Sequence, residues 1–69
     1  MVRILEARTF EMVYTVKLVQ VSDGFAVLTY SWENCKIIPE LSTEKIPTFD
    51  DALFAYNEII NIFVAKLAA

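Results

Sequence analysis

Apolar and polar residues alternate from Phe10 to Val21. Phe10, Met12, Tyr14, Val16 and Leu18 share one parity; Glu11, Val13, Thr15, Lys17 and Val19 share the other. A period of two over this length predicts a strand with one buried face. A second alternating run, Phe25–Trp32, sets Ala26, Leu28, Tyr30 and Trp32 against Val27, Thr29 and Ser31. Between the runs stands Ser22-Asp23-Gly24, and an Asp-Gly step between alternating segments is a strong hairpin signal. A three-residue loop with Gly24 left-handed pairs Val21 with Phe25, Leu18 with Leu28, Val16 with Tyr30 and Tyr14 with Trp32. One face is then apolar throughout, and the other carries Thr15, Lys17, Thr29, Ser31 and Glu33. A two-residue Asp23-Gly24 loop mixes both faces. Because a slip of one residue exchanges the faces of a strand, the segregated register is the expected one.

Val2–Ala7 predicts a further, less regular strand, and Lys36-Ile37-Ile38 a short one that Glu44-Lys45-Ile46 resumes after an excursion. Pro39 and Pro47 bracket the only loop-like stretch, and a proline beside a strand favours an edge position. Beyond Pro47 the period changes to about 3.6. Thr48 suits the N-cap and Asp51 the first-turn amides, so a helix starts at about residue 49. Its apolar residues, Ala52, Ala55, Tyr56, Ile59, Ile60, Ile62, Phe63, Val64 and Leu67, spread over about 200° of the helix surface, wider than the stripe of a one-sided surface helix. Asp50, Asn57 and Asn61 mark a narrow polar strip that also contains Phe54. The predicted fold is α+β: an antiparallel β-meander of three to four strands followed by one C-terminal α-helix packed on one sheet face. One domain covers residues 1–69, with strands over about 2–46 and the helix over about 49–67.

Composition raises the question of a partner. Of 69 residues, 57% are hydrophobic and one is glycine. A domain of roughly 60 residues buries only about 60% of the surface its unfolded chain exposes, and gains little net stability from its own core. The apolar surplus therefore predicts a homodimer with the helix at or near the interface, through Phe54, Ile60, Ile62 and Val64, while Lys66 reaches solvent along its stem. No membrane span is expected, since the longest uncharged stretch, Gly24–Trp32, has nine residues and the longest in the helix, Ile59–Ala65, has seven. The N-terminal run Met1-Val2-Arg3-Ile4-Leu5-Glu6 lacks the uninterrupted apolar segment of a signal peptide. With a single cysteine, a reducing, cytoplasmic location is expected.

Charge and side-chain chemistry narrow the function. Nine acids against six Lys and Arg give a net charge of −3, and the basic residues are scattered, which disfavours general nucleic-acid binding. Without histidine no His-based triad exists, and Cys35 has only Lys36 beside it to favour a thiolate, so it reads as a small hydrophobe. Asp50 and Asp51 point about 100° apart on a helix and serve its N-terminus better than a metal ion. One glycine cannot build a phosphate loop. No catalytic residue, metal or cofactor is expected. One constellation remains: Tyr14, Tyr30 and Trp32 on one strand face form a base-stacking platform if that face is uncovered, with Lys17 as a phosphate contact, and a core if the helix covers it.

Two families share parts of this pattern. Tyr14-Thr15-Val16-Lys17-Leu18, Phe25-Ala26-Val27-Leu28-Thr29-Tyr30-Ser31-Trp32 and Thr48-Phe49-Asp50-Asp51-Ala52-Leu53 resemble a degenerate WGR domain, a nucleic-acid-associated module found beside some poly(ADP-ribose) polymerase catalytic domains. Here Glu33-Asn34 stands where that family has Gly-Arg. Gly24-Phe25-Ala26-Val27 and Thr48–Leu53 through Ile59-Ile60-Asn61-Ile62-Phe63 are similar to the HicB-family antitoxins, and this resemblance implies a three-stranded sheet paired with a helix in a chain that oligomerises. The favoured function is a small non-enzymatic regulatory or inhibitory protein acting by protein–protein binding, antitoxin-like or of phage-inhibitor type. The alternative is a WGR-like nucleic-acid-binding module using its Tyr/Trp face.

Overall fold

Four antiparallel strands pair in chain order and a single long helix packs across one side of them. The computed structural model describes the backbone of residues 2–68 and the side chains of residues 2–66; the side chain of Leu67, placed above on the apolar helix face, lies outside the described residues. The strands are β1 (Arg3–Phe10), β2 (Tyr14–Val21), β3 (Gly24–Ser31) and β4 (Lys36–Ile37), and the helix α1 is Phe49–Ala68. This is the α+β meander-plus-helix architecture that the change of period predicts.

The first hairpin departs from the expectation. The alternation from Phe10 to Val21 is not one strand; it breaks at Glu11-Met12-Val13. The Phe10 carbonyl accepts the Val13 N–H at 2.9 Å, and Glu11 (φ 50°) and Met12 (φ 59°) both lie at positive φ. That is the geometry of primed hairpin turns, which Asn and Gly normally supply. Neither residue advertises it, so the parity runs unbroken through the turn.

The second hairpin corrects the register. Val21 pairs with Gly24 across a two-residue Ser22-Asp23 turn, which brings Leu18 opposite Val27, Val16 opposite Thr29 and Tyr14 opposite Ser31. Gly24 is not at positive φ. β2 keeps its expected inner face, but β3 is turned over: Phe25, Val27, Thr29 and Ser31 lie on the helix side. The buried hydroxyl of Thr29 is satisfied there, donating to the Leu41 carbonyl, so the helix side accepts a polar residue that the segregated register keeps out.

The segment after β4 accounts for this arrangement. Residues 38–46, with a short 3₁₀ turn at Pro39–Leu41, run along the outer edge of β3. Ile38 N–H donates to the Thr29 carbonyl and Thr43 N–H to that of Val27, each at 2.8 Å; Phe25 and Ile46 exchange a reciprocal pair. Where the irregular chain offers no carbonyl, hydroxyls replace it. Ser42 Oγ accepts from Thr29 N–H at 3.0 Å and Thr43 Oγ1 from Val27 N–H at 2.9 Å. Pro39 and Pro47 fit such an edge, where no ladder donor is required.

Thr48 caps α1 as predicted. Its carbonyl accepts the Ala52 N–H at 3.2 Å, its Oγ1 accepts the Asp51 N–H at 3.4 Å, and its hydroxyl donates to Asp51 Oδ2 at 2.8 Å. The helix places Ala52, Tyr56, Ile59, Ile60 and Phe63 on Val16, Leu18 and Val27, with Phe10 closing one end. Phe63 stacks on Phe10 with centroids 5.0 Å apart. No helix of the described residues is long and apolar enough to cross a membrane.

Candidate functional site

Because α1 covers one side of the sheet, the other is left open, and its composition follows from the register. Antiparallel partners share a face, so Thr15 with Tyr30, Lys17 with Leu28, and Val19 with Ala26 lie together there. Ile4 joins beside Val19, Ala7 beside Lys17, Thr9 beside Thr15, and Ile37 beside Tyr30. Lys17 is the only charged residue among these paired positions. Val19 and Ala26 are buried, although no second layer of the chain lies over them and neither belongs to the helix-side core. Around them Ile4, Trp32 and Ile37 remain exposed.

One corner of this face is built with particular care. The Trp32 indole N–H donates to Thr15 Oγ1 at 2.7 Å, and the Thr15 and Thr9 hydroxyls lie 3.0 Å apart. Tyr30 meets the Trp32 ring edge-on, with centroids 5.0 Å apart at 85°. The Trp32 backbone N–H also ties β3 to the first turn, donating to the Val13 carbonyl at 2.8 Å. The indole is thus fixed on two sides while 54% exposed, and Met12, 85% exposed, stands at the tip of the strained turn. Thr9, Met12 and Trp32 line an open depression of about 340 Å³. A rigid, half-exposed aromatic is suited to anchor a partner, because little of its side-chain entropy remains to be lost.

Cys35, also at positive φ (54°), is exposed beneath this corner, its thiol directed at the Trp32 carbonyl at 3.6 Å. The neighbouring Cys35 thiol pushes the Tyr30 phenol above its ordinary value. On the helix side, burial, and after it the charge of Glu6, raises the Tyr56 phenol, with Arg8 pulling the other way.

The structure separates residues that the sequence pattern grouped. Tyr14 does not share a face with Tyr30 and Trp32: it points to the helix and lies 5.2 Å from Phe63, in the wall of a second cavity of about 310 Å³ with Phe10, Ile38 and Leu41. Lys17, Tyr30 and Trp32 do lie together on the open face. Of the four proposed interface residues, Ile60 is 7% exposed and belongs to the core. Phe54, Ile62 and Val64 are exposed, but Ile62 and Val64 fall about 160° apart around the helix and Phe54 lies about 12 Å before Ile62 along it. They form no continuous patch. Ile4, Met12 and Ile37 were missed, because their faces depend on the two turns that parity alone cannot locate.

Among the described residues no three His, Cys, Asp or Glu side chains gather as a metal-ligating group. Comparison with protein-family models, curated proteins and solved structures finds no match.

Proposed function

We propose that this chain is a small non-enzymatic regulatory or inhibitory protein that acts by binding another protein through the open sheet face. One observation carries the reading: the uncovered face opposite the helix exposes Ile4 and Ile37 beside a single charge, Lys17, among its paired positions, and its Trp32 is held rigid yet half exposed. Large apolar side chains left exposed on an uncovered sheet face support an interaction site. The partner that fits is a protein offering an apolar surface with an acidic group for Lys17. A photo-crosslinking residue at position 32 tests this in the cells that make the protein. The expected result is one discrete protein adduct, absent when the same group replaces Phe54 and lost on Lys17→Glu. Adducts formed equally from both positions, or with nucleic acid alone, overturn it.

A second reading, the WGR-like nucleic-acid module, draws support from Tyr30, Trp32 and Lys17 sharing that face. It requires Trp32 fluorescence to be quenched saturably by single-stranded oligonucleotides, and less so at higher salt. The net charge of −3 weighs against it.

A further inference from the structure

The two edges of the sheet are treated differently. The outer edge of β3 is occupied by β4 and residues 38–46, whereas among the described residues no backbone group pairs with the outer edge of β1. We infer that β1 is the seat of a second copy of this chain, paired antiparallel to its own β1 about Ala7, with Glu6 of each copy opposite Arg8 of the other.

The register follows from backbone direction and charge. Phe10 turns its carbonyl toward the turn and β2. Backbone groups alternate along a strand, so Arg8 and Glu6 bond toward β2, and Ala7 and Thr9 present their N–H and C=O outward. A two-fold pairing centred on an outward residue makes its central pair a bonded one, and charge decides among the possible centres. Centred on Ala7, it sets the smallest side chain of the strand against itself and joins Glu6 to Arg8 twice. A shift to either side sets Glu6 against Glu6 or Arg8 against Arg8, and like charges directly opposite disfavour pairing. The bulge between Ile4 and Glu6 ends the regular stretch and limits the overlap to its Ala7 half.

Both charges are available. Glu6 and Arg8 are exposed, and among the described residues the one ion pair is Lys45–Asp23, at 3.9 Å. Arg8 rests over the Phe10 ring, 5.0 Å from its centroid. Both lie on the helix side, where their charges reach Tyr56. Like charges at positions 6 and 8 would repel any second copy; the opposite signs make this edge complementary to itself. This interface is distinct from the open face and does not rest on its assignment.

Charge-swap variants test the register. At micromolar concentration the wild-type chain is expected to sediment at twice its 7.9 kDa mass. Glu6→Arg alone and Arg8→Glu alone each place like charges opposite in the paired strands, and each is expected to sediment as a monomer. Positions 6 and 8 are then both arginine in the first variant and both glutamate in the second. Mixed one to one, the two variants are complementary to each other, so the dimer returns; the double swap in one chain also restores it. A monomeric wild type, single variants that stay dimeric, or a mixture and double swap that both stay monomeric overturns the inference. Failure here leaves the crosslinking result at position 32 unaffected, and the reverse also holds.

Discussion

The carbonyl oxygen of Ile46 passes so close to Gly24 that a Cβ on the glycine would lie 2.6 Å from it. Ile46 is held there by its reciprocal hydrogen bonds with Phe25, at 2.6 and 2.8 Å, so the obstructing atom is backbone already committed to a partner. Glycine is required for close approach, not for a left-handed turn.

Gly24→Ala therefore forces either the Phe25–Ile46 pair apart or the turn outward, and is expected to destabilise the fold by about 1–3 kcal/mol, the usual cost of overpacking. Urea denaturation measures this. An unchanged midpoint would show that the strand and residues 43–46 separate freely.

Thr48→Ala removes the hydroxyl that accepts the Asp51 N–H and donates to the Asp51 carboxylate. A loss of about 1 kcal/mol is expected. Thr48→Ser keeps the hydroxyl and should recover most of it; equal losses in both variants would place the effect in the methyl group instead.

Alkaline pH should weaken the fold through Tyr56. Its phenol is raised above the ordinary value of 10.0, chiefly by burial. The unfolded chain therefore sheds this proton first. The stability so contributed is whole below about pH 10 and declines as pH rises beyond it, toward the folded value. Denaturation midpoints at about pH 8, 9.5 and 10.5 should fall more steeply for the wild type than for Tyr56→Phe. Parallel curves would refute the assignment.

The turn at Glu11-Met12 holds two ordinary residues at positive φ, a conformation costing about 1–2 kcal/mol for a residue with a Cβ. Replacing both, Glu11→Asn with Met12→Gly, should raise stability by about 1 kcal/mol, the added freedom of glycine in the unfolded chain offsetting part of the gain. The same variant loses the exposed methionine and should weaken the crosslink at position 32. A stabilised chain with undiminished crosslinking would exclude Met12 from the site.

How much of this was legible in the residues depends on what each signal reports. Helix periodicity averages over many turns, and Thr48 with Asp51 marks its start, so α1 was readable to within a residue or two. Strand parity has no such redundancy. One unadvertised turn at Glu11-Met12 and one residue's difference at Ser22-Asp23-Gly24 reassign whole faces, as Tyr14 and Tyr30 show by ending on opposite sides. The deciding influence on β3 lies far along the chain, in the hydroxyls of Ser42 and Thr43, which satisfy Thr29 and Val27. Local pattern carries no trace of it. The candidate site was half legible for the same reason: Tyr30 and Trp32 share a parity, while Lys17, which the expected register sets on the opposite face, joins them with Ile4, Met12 and Ile37 only through the completed sheet.

Those hydroxyls also bear on how far the molecule can grow. An exposed strand edge is a template, and a sheet with two of them can add copies at both ends without limit, which is the route to fibrils. Here β4 and the irregular residues 38–46 cover one edge, and Ser42 and Thr43 meet two of its N–H groups with hydroxyls in place of a ladder. A chain with a single open edge joins one other and then has nothing further to offer. For so apolar a protein, an irregular margin at one edge would favour a finite assembly over an endless one.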